Sequence, residues 1–358
     1  MRIAQVSPLW ERVPPPGYGG IELVVAHLTD ELVRRGHDVT LFASGDSITQ
    51  AKLASVAPVA LRLNPTVKEP PVYEMMQLGQ VLAQAGQFDI IHFHTGFSAL
   101  PFAEAIKTPV VHTLHGTFTP DNRKLFQQYR HQAYISISQA QQKLEPDLNY
   151  VCTAYNGIDP QDYPFHPTPQ DPSYLAFLGR MSPEKGPHHA IAIAQATGWP
   201  LKMAGKIDAV DREFFDREIV PHLDGQQIQY LGELSHAQKV SLLGNARATL
   251  FPITWNEPFG LVMIESLCTG TPVMAMNLGS VPEVIAQGKT GMICQSVAEM
   301  ISSLPQVIQL NRQDCREAVL SHFSVTQMVN RYEAAYQTIV DRSLSRNGHL
   351  PAATVKFV

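Results

Sequence analysis

The chain has 358 residues, of which 44% are hydrophobic and 16% are charged, and its formal net charge at pH 7 is -5. A domain usually contains about 100 to 200 residues, so this length favours two domains, and the hydrophobic content supplies a core for each. The negative balance provides no global positive field that would gather nucleic acid or an anionic membrane surface.

Cysteine usage and hydropathy indicate a cytoplasmic protein. The four cysteines, Cys152, Cys268, Cys294 and Cys315, lie far apart and form no CxxC pair, which argues against a zinc site or a redox motif. The apolar run after Arg2 is too short for a secretory signal, and no run of about 18 apolar residues exists to span a bilayer. We therefore expect a cytoplasmic protein, at most peripheral to the inner face of a membrane.

Strand-like and helical segments alternate along the first half. A buried strand over Arg2 to Ser7 leads into a Pro/Gly-rich loop, and a periodic helix follows from Ile21 to Arg35, where Gly36 ends it. Further strand-like runs cover 39–43, 90–92, 110–114 and 134–137. This alternation predicts a parallel, doubly wound α/β sheet.

A proline-rich segment between Asn156 and Ser173 interrupts the alternation, because proline cannot continue a helix or an interior strand. Strand-like runs then restart at 174–179, 201–204, 229–231, 249–252 and 273–275, and they predict a second doubly wound domain. An amphipathic helix is predicted over 325–344, with a frayed tail after Asn347. We divide the chain into a first domain (1–165), a second domain (166–325) and a C-terminal helix and tail (326–358) that cross back to the first domain.

Two cations follow the first strand of the second domain. Arg180 and Lys185 lie in the run Gly179 to Gly186, between that strand and the next helix. Ligands of open α/β sheets bind beyond the carboxyl ends of the strands, and two cations at such a place suit a diphosphate. An isolated pair of this kind is equally compatible with solvated loop charges.

Two glutamates flank a predicted helix start. Glu257 precedes the helix and Glu265 lies on it. The helix begins near Gly260, Leu261 and Val262, where backbone N–H groups without intrahelical partners and the positive end of the helix dipole favour a phosphate. The alternative is that Glu257 caps the helix and Glu265 is a solvated helix residue.

These segments together resemble retaining glycosyltransferases of family 4. The resemblance rests on G-R-x4-K-G over Gly179 to Gly186 and on E-P-F-G-x4-E over Glu257 to Glu265. Shorter supporting matches are Gly19-Gly20, Thr113 to Gly116, Asn156 to Asp159 and Gly270 to Val273. The resemblance covers essentially the whole chain and implies the GT-B architecture, in which two Rossmann-like domains face a cleft that holds a nucleotide-sugar donor.

The resemblance also implies roles for matching residues. Arg180 and Lys185 would hold the donor phosphates, Glu257 would bind hydroxyls of the sugar, and His115 would touch that sugar. Glu265 would bind the ribose. The catalytic candidates are therefore His115, Arg180, Lys185 and Glu257, with His94 as a secondary candidate. The donor-binding candidates are Gly19, Gly20, Gly205, Lys206, Leu231, Pro258, Phe259, Gly260, Leu261, Val262 and Glu265.

Metal-independent transfer, with no cofactor, is a further expectation. His92, His94, His112 and His115 lie near strand ends, but no carboxylate cluster accompanies them, and a D-x-D tripeptide is absent from the sequence. Arg180, Lys185 and two helix starts would supply the positive charge that a divalent cation otherwise provides. No carboxylate nucleophile stands out, so the resemblance implies attack on the face from which the diphosphate leaves.

The sequence indicates the identity of the donor and of the acceptor less clearly. We expect a UDP-hexose, with GDP- and ADP-sugars as alternatives, and a hydroxyl acceptor bound by the loops Leu9 to Tyr18, Thr95 to Leu100 and Thr117 to Arg130. The competing functions are a sugar-nucleotide epimerase or a glycoside phosphorylase on the same fold, and a non-catalytic nucleotide-sugar-binding scaffold.

Overall fold

The computed structural model of the protein describes residues 1–17, 19–62 and 64–346. The described chain forms two parallel sheets, one of seven and one of six strands. The prediction of two doubly wound α/β domains is therefore confirmed. The tail predicted after Asn347 lies outside the described residues.

The first domain surrounds the seven-stranded sheet. Its strands are β1 (Arg2–Val6), β2 (Asp38–Phe42), β3 (Lys52–Ala54), β4 (Ile90–Phe93), β5 (Val110–Leu114), β6 (Ala133–Ser136) and β7 (Tyr150–Thr153). Its helices are α1 (Gly20–Arg34), α2 (Pro70–Gln84), α3 (Leu100–Ala103), α4 (Pro120–Gln128) and α5 (Gln139–Leu144). The spatial order is β3-β2-β1-β4-β5-β6-β7 with every pair parallel, so the order reverses between β1 and β4, where open sheets bind ligands.

The second domain repeats this layout with six strands. The strands are β8 (Leu175–Leu178), β9 (Leu201–Ala204), β10 (Ile228–Tyr230), β11 (Ala248–Phe251), β12 (Val273–Met276) and β13 (Gly291–Cys294). The helices are α6 (Pro187–Thr197), α7 (Arg212–Glu218), α8 (His236–Gly244), α9 (Leu261–Cys268), α10 (Val281–Val284), α11 (Val297–Val307) and α12 (Arg312–His322). The order β10-β9-β8-β11-β12-β13 reverses between β8 and β11.

The sequence pattern missed β3, β7 and β13, all of which lie at sheet edges. β3 has only three residues and is largely exposed, and the side chains of β7 are only half-buried. An edge strand is covered less completely than a central one, so these segments lack the continuous apolar run that marks a buried parallel strand.

The last helix, α13 (Val325–Arg346), leaves the second domain and packs on the first. Tyr332 and Tyr336 are fully buried in the core that contains Ile3 and Leu28. Met328 and Val329 are buried in the same core, and full burial of such a side chain contributes about 1.5–3 kcal/mol. The helix therefore ties the two domains together through the first domain's core.

Within the three described ranges, no helix is both long and apolar enough to cross a membrane.

Candidate active site

The carboxyl ends of both sheets face a cavity of about 380 Å³ between the domains. Most of the residues predicted from sequence line it: Gly19, Gly20, His115, Arg180, Lys185, Gly205, Lys206, Glu257, Pro258, Phe259, Gly260, Leu261, Val262 and Glu265. Segments far apart in sequence meet here because the loops that follow parallel strands all leave the same edge of each sheet.

Leu231 is a predicted residue that the structure does not bring into the cavity lining. Its side chain is 42% exposed, and β10 ends one residue before it. The backbone turns at Gly232, where φ is +75°, and Glu233 and Leu234 line the cavity instead. The sequence pattern located the loop, whereas the turn at Gly232 determines which of its side chains face the cavity.

Lys185 and Glu257 form an ion pair across two loops of the second domain. The indole Nε1–H of Trp255 donates to the same Glu257 oxygen at 3.0 Å, and the Lys185 ammonium lies 4.7 Å from the centre of the Trp255 ring. Glu257 is buried, and the N-cap residue of α9 is Gly260. The capping alternative for Glu257 is therefore wrong.

Arg180 and Lys206 share a carboxylate at the end of the adjoining strands. Asp208 lies 2.9 Å from the Lys206 ammonium and 3.5 Å from the Arg180 guanidinium, which also pairs with Glu184. Burial works against ionisation of Asp208, but the two cations lower its pKa overall. Gly205 is required beside them, because a Cβ there would lie 1.8 Å from the carbonyl oxygen of Gly179.

Glu265 is buried on α9 and holds a defined set of partners. The Tyr163 hydroxyl donates to its carboxylate at 2.9 Å, and Lys239 of α8 forms an ion pair with it. The alternative of a solvated helix residue is therefore wrong. Burial is the main cause that raises the pKa of Tyr163 well above its usual value, and the negative charge of Glu265 is the second. The phenol therefore stays protonated and remains a hydrogen-bond donor.

Lys239 lines the cavity and was missed by sequence reasoning. It lies on α8 in the run His236–Gly244, which carries a serine cap but no ligand-binding motif. Its position on the amphipathic helix is compatible with a solvated face, so only the packing of α8 against α9 reveals its contact with Glu265. Asn156 and Trp255 also line the cavity without having been chosen.

Two helices begin at the cavity, one from each domain. α1 follows Gly19 and α9 follows Gly260, and neither N-cap residue makes a side-chain capping bond. A Cβ built on Gly20 would lie 3.2 Å from a methyl of Leu261, so the two helix starts approach each other across the cleft. The N–H groups of a first helical turn have no partners within the helix, so such helix starts favour an anion, and the positive φ of +78° at Gly260 explains the glycine there.

His115 is held by a buried hydrogen-bond chain. Its Nε2 lies 2.8 Å from His94 Nδ1, and His94 Nε2 lies 2.9 Å from the side-chain carbonyl oxygen of Gln5. The Gln5 amide in turn donates to the Tyr336 hydroxyl at 2.8 Å. Burial lowers the pKa of His115 to about 3 and that of His94 well below its usual value, so both rings are neutral near pH 7.

The other two histidines of the group belong to the core. His92 lies between the Tyr336 hydroxyl, 2.6 Å away, and Thr113 Oγ1, 2.7 Å away. His112 is buried and stacks on Phe93. Within the part of the chain that the structure describes, no group of three or more His, Cys, Asp or Glu side chains is placed to hold a metal ion.

Glu22, in the first turn of α1, is almost completely buried near the cleft. Burial is the main cause that raises its pKa to about 7, and the nearby charge of Glu11 adds to the effect, while Lys206 opposes it. Glu11 pairs with Arg62, whose guanidinium also lies 3.5 Å from Glu233 in the second domain. Arg62 therefore connects the first domain to Glu233, a residue of the second domain that lines the cavity.

A second cavity, of about 290 Å³, lies in the first domain and adjoins the cleft. Ile21 and His115 line both cavities. The remaining walls include residues 95–98 after β4 and residues 117–118 after β5, which belong to the loops expected to bind an acceptor.

Two family descriptions match consecutive parts of the sequence. Glycosyltransferase Family 4 matches residues 18–162, and Glycosyl transferases group 1 matches residues 160–317. Together the two matches run from the loop before α1 into α12; the first contains strands β2 to β7 of the first sheet, and the second contains all six strands of the second sheet.

Individual proteins support the same assignment. A glycogen synthase of Mycobacterium tuberculosis (strain CDC 1551 / Oshkosh) is 26% identical over 371 residues, covering 86% of this chain and 86% of the relative. The crystal structure of AviGT4, a glycosyltransferase involved in avilamycin A biosynthesis, superposes with a TM-score of 0.72 at 26% identity, covering 95% of this chain and 98% of AviGT4. Anabaena HepE, solved with UDP and glucose, shares the fold with a TM-score of 0.73 at 17% identity, over 94% of this chain and 100% of HepE.

The two facing domains, the cationic loop after β8 and the glutamate-flanked start of α9 agree with these matches over both halves of the sequence. The chain belongs to the family 4, group 1 glycosyltransferases and is a glycosyltransferase of GT-B architecture.

Proposed function

We propose that the protein transfers a hexose from a UDP-sugar to a hydroxyl acceptor, with retention of anomeric configuration and without a metal ion. One observation carries the proposal: Arg180, Lys185 and the uncapped starts of α1 and α9 converge on one cleft. Side-chain cations and helix N-termini both favour anions, and a nucleoside diphosphate brings two phosphates to such a place.

The choice of UDP is supported by the shared fold of Anabaena HepE, whose structure contains UDP and glucose. In this chain the ribose would meet Glu265, which Tyr163 and Lys239 hold in place. The base would lie toward Gly205 and the loop that contains Glu233. GDP- and ADP-sugars are the competing donors.

The sugar would lie between the two domains. Glu257 would accept hydrogen bonds from its hydroxyls, while Trp255 keeps that carboxylate oriented. His115 would contact the same sugar from the first domain, with its neutral ring providing a hydrogen-bond acceptor. Groups held by fixed partners need little reorganisation when the donor binds, which favours productive orientation.

The reaction would be a substitution on one face of the sugar. The bond from C1 to the diphosphate oxygen breaks, the acceptor oxygen bonds to C1 on that same face, and the acceptor proton passes to the departing phosphate. Arg180 and Lys185 would stabilise the charge that develops on the leaving group. Each carboxylate lining the described part of the cleft is already ion-paired, Glu233 with Arg62, Glu257 with Lys185 and Glu265 with Lys239, which favours this route over a carboxylate nucleophile.

A donor screen tests the proposal. UDP-, GDP- and ADP-sugars would be compared by thermal shift and by slow donor hydrolysis, each with and without EDTA, because a ligand that binds the native state raises its melting temperature. We expect one UDP-hexose to stabilise the protein and to be hydrolysed equally in EDTA. Loss of hydrolysis in EDTA would reject metal independence, and binding of none of the donors would reject the donor site.

Product analysis separates the proposal from the competing reactions. NMR of the anomeric proton of the product should show the configuration of the donor. An epimerase would change the sugar nucleotide with no acceptor present, and a phosphorylase would consume inorganic phosphate; either result would replace the proposal.

A further inference from the structure

The residues that line the second cavity indicate which chemical class of molecule it would bind. It adjoins the donor cleft at Ile21 and His115, so a molecule seated in it would meet the sugar where transfer takes place. This step rests on the proposed function, because the position of the sugar is part of that proposal. The charge, the apolar surface and the hydrogen-bonding groups of the cavity then restrict the acceptor.

The charge of the walls differs from that of the donor cleft. Among the described residues that line the second cavity, Glu74 is the only charged one, and its histidines are the neutral His94 and His115. The donor cleft, by contrast, is lined by Arg180, Lys185, Lys206 and Lys239. An acceptor carrying a phosphate or carboxylate would lose water beside a carboxylate with no cation to compensate, which is costly.

Two cations on α4 directly follow a cavity-lining residue in the sequence, and both already form ion pairs. α4 contributes Asn122 and Phe126 to the cavity, and it also carries Arg123 and Lys124. Arg123 pairs with Glu145, and Lys124 lies 3.0 Å from Asp121. Neither lines the cavity, so α4 does not supply the missing positive charge.

The apolar part of the cavity offers flat surfaces. Leu78, Leu114 and Phe126 are buried in its walls, and Phe118 packs edge-on against Phe126 with ring centres 5.2 Å apart. Phe97 is 50% exposed at the same cavity. Aromatic side chains of this kind pack well against an apolar or aromatic face of a ligand.

One polar side chain, that of Thr95, is without a hydrogen-bond partner among the described residues. Its hydroxyl is buried, and Thr95 is one of the residues that line the cavity. A buried hydroxyl without a partner is unfavourable, and a hydroxyl of a bound molecule would satisfy it. By contrast, the Gln77 amide already donates to the carbonyl oxygens of Ser7 and Phe42.

We propose that the second cavity is an acceptor subsite for an uncharged hydroxyl compound with an apolar or aromatic face, of the aryl glycoside kind, and that it discriminates against phosphorylated and carboxylated acceptors. Phe97 and Phe118 bind the flat face, Thr95 hydrogen-bonds a hydroxyl, and the single carboxylate Glu74 repels anions.

The test compares acceptors that differ in charge. With the donor found in the screen, transfer would be measured to 4-nitrophenyl glucoside, to glucose 6-phosphate and to glucuronic acid. We expect kcat/KM for the aryl glucoside to exceed that for either anion at least tenfold. Equal or better use of an anion would overturn the assignment, and so would a panel of aryl glycosides that neither accept the sugar nor alter donor hydrolysis.

Donor hydrolysis without acceptor keeps the two proposals separate. If no nucleotide-sugar binds or is hydrolysed, the proposed function itself fails. If the donor is hydrolysed and only anionic acceptors are glycosylated, the proposed function stands and the acceptor assignment fails.

Two variants with matched controls locate the effect. Glu74→Lys should reduce the preference for the neutral acceptor about tenfold, whereas Glu69→Lys makes the same charge change at the start of α2, outside the cavity. Phe97→Ala should raise KM for the aryl acceptor, whereas Met76→Ala removes an equally exposed apolar side chain that does not line the cavity. Equal effects of a variant and its control would overturn the assignment.

Discussion

His94 Nδ1 lies 2.8 Å from His115 Nε2, and this contact determines which nitrogen of His115 carries the proton. Because the Gln5 amide nitrogen donates to Tyr336, the Gln5 oxygen must accept, and it takes the N–H of His94 Nε2. The neutral His94 ring then has only its Nδ1 lone pair to offer, so His115 donates from Nε2. His115 Nδ1 is therefore left without a proton and can accept a hydrogen bond. Tyr336 on α13 determines this tautomer through Gln5 and His94.

The first prediction concerns Tyr336→Phe. Removing the hydroxyl releases the Gln5 amide, so His94 and His115 should populate both tautomers, and kcat/KM should fall about threefold to tenfold, the scale of one hydrogen bond. Two-bond ¹H–¹⁵N NMR of the imidazoles should show a single Nε2–H tautomer for His115 in the parent and a mixture in the variant.

Tyr332→Phe is the matched control for that experiment. Tyr332 lies one turn earlier on α13 and accepts a hydrogen bond from Thr113, at the other end of the network. Both variants should lower the melting temperature, but only Tyr336→Phe should change the His115 spectrum. Unchanged His115 resonances in Tyr336→Phe would contradict the positioning role.

Arg180→Ala and Lys185→Ala should each lower kcat about a hundredfold or more, the scale for removing a group that stabilises charge in the transition state. The measurement is steady-state transfer, with melting temperature recorded in parallel. Lys289→Ala, which removes an exposed cation that does not line the cleft, serves as the control. Near-normal turnover in either cleft variant would reject its assignment to the leaving diphosphate.

Gly20→Ala should weaken donor binding without destabilising the protein. The added methyl would point toward Leu261 across the cleft, where the diphosphate would pass, and we expect the donor KM to rise roughly tenfold. The tight contact would be with the end of the Leu261 side chain, which can shift, so the melting temperature should hold. Gly79→Ala on α2 is the control: its added methyl meets no atom within 4 Å, so this variant should gain stability with an unchanged donor KM. A similar change of KM in both variants would argue against the start of α1 as a phosphate site.

Glu22→Gln should change how stability depends on pH. The pKa of Glu22 is about 7 in the folded protein against 4.5 as its ordinary value. Below pH 4.5 the Glu22 carboxyl is protonated in both the folded and the unfolded protein. Between pH 4.5 and 7 only the folded protein keeps this proton. The free energy of unfolding therefore falls as the pH rises through this range, by about 3 kcal/mol at most for this residue. The variant should therefore be more stable than the parent at pH 8 and flatter between pH 5 and 8 in urea unfolding; an unchanged pH profile would contradict the raised pKa.

Much of the fold and of the site could be predicted from residues alone. The alternation of strands and helices, the proline-rich segment and the motifs at Gly179 to Gly186 and Glu257 to Glu265 are local patterns. They indicate two doubly wound domains and place the candidate ligand-binding residues after strands. Parallel sheets then force those loops to one edge, which is why most of the chosen residues do line one cleft.

Only the tertiary structure determines which residues that are distant in the chain contact each other. The ion pair of Lys239 with Glu265, the burial of Glu22 and the chain from Tyr336 through Gln5 to His115 depend on how helices pack and on where α13 docks. Sequence patterns report the periodicity of a single segment, whereas hydrogen-bond partners and desolvation arise when separate segments meet. The sequence therefore determined the residue types of the candidate site, and the packing around them determined their protonation and orientation.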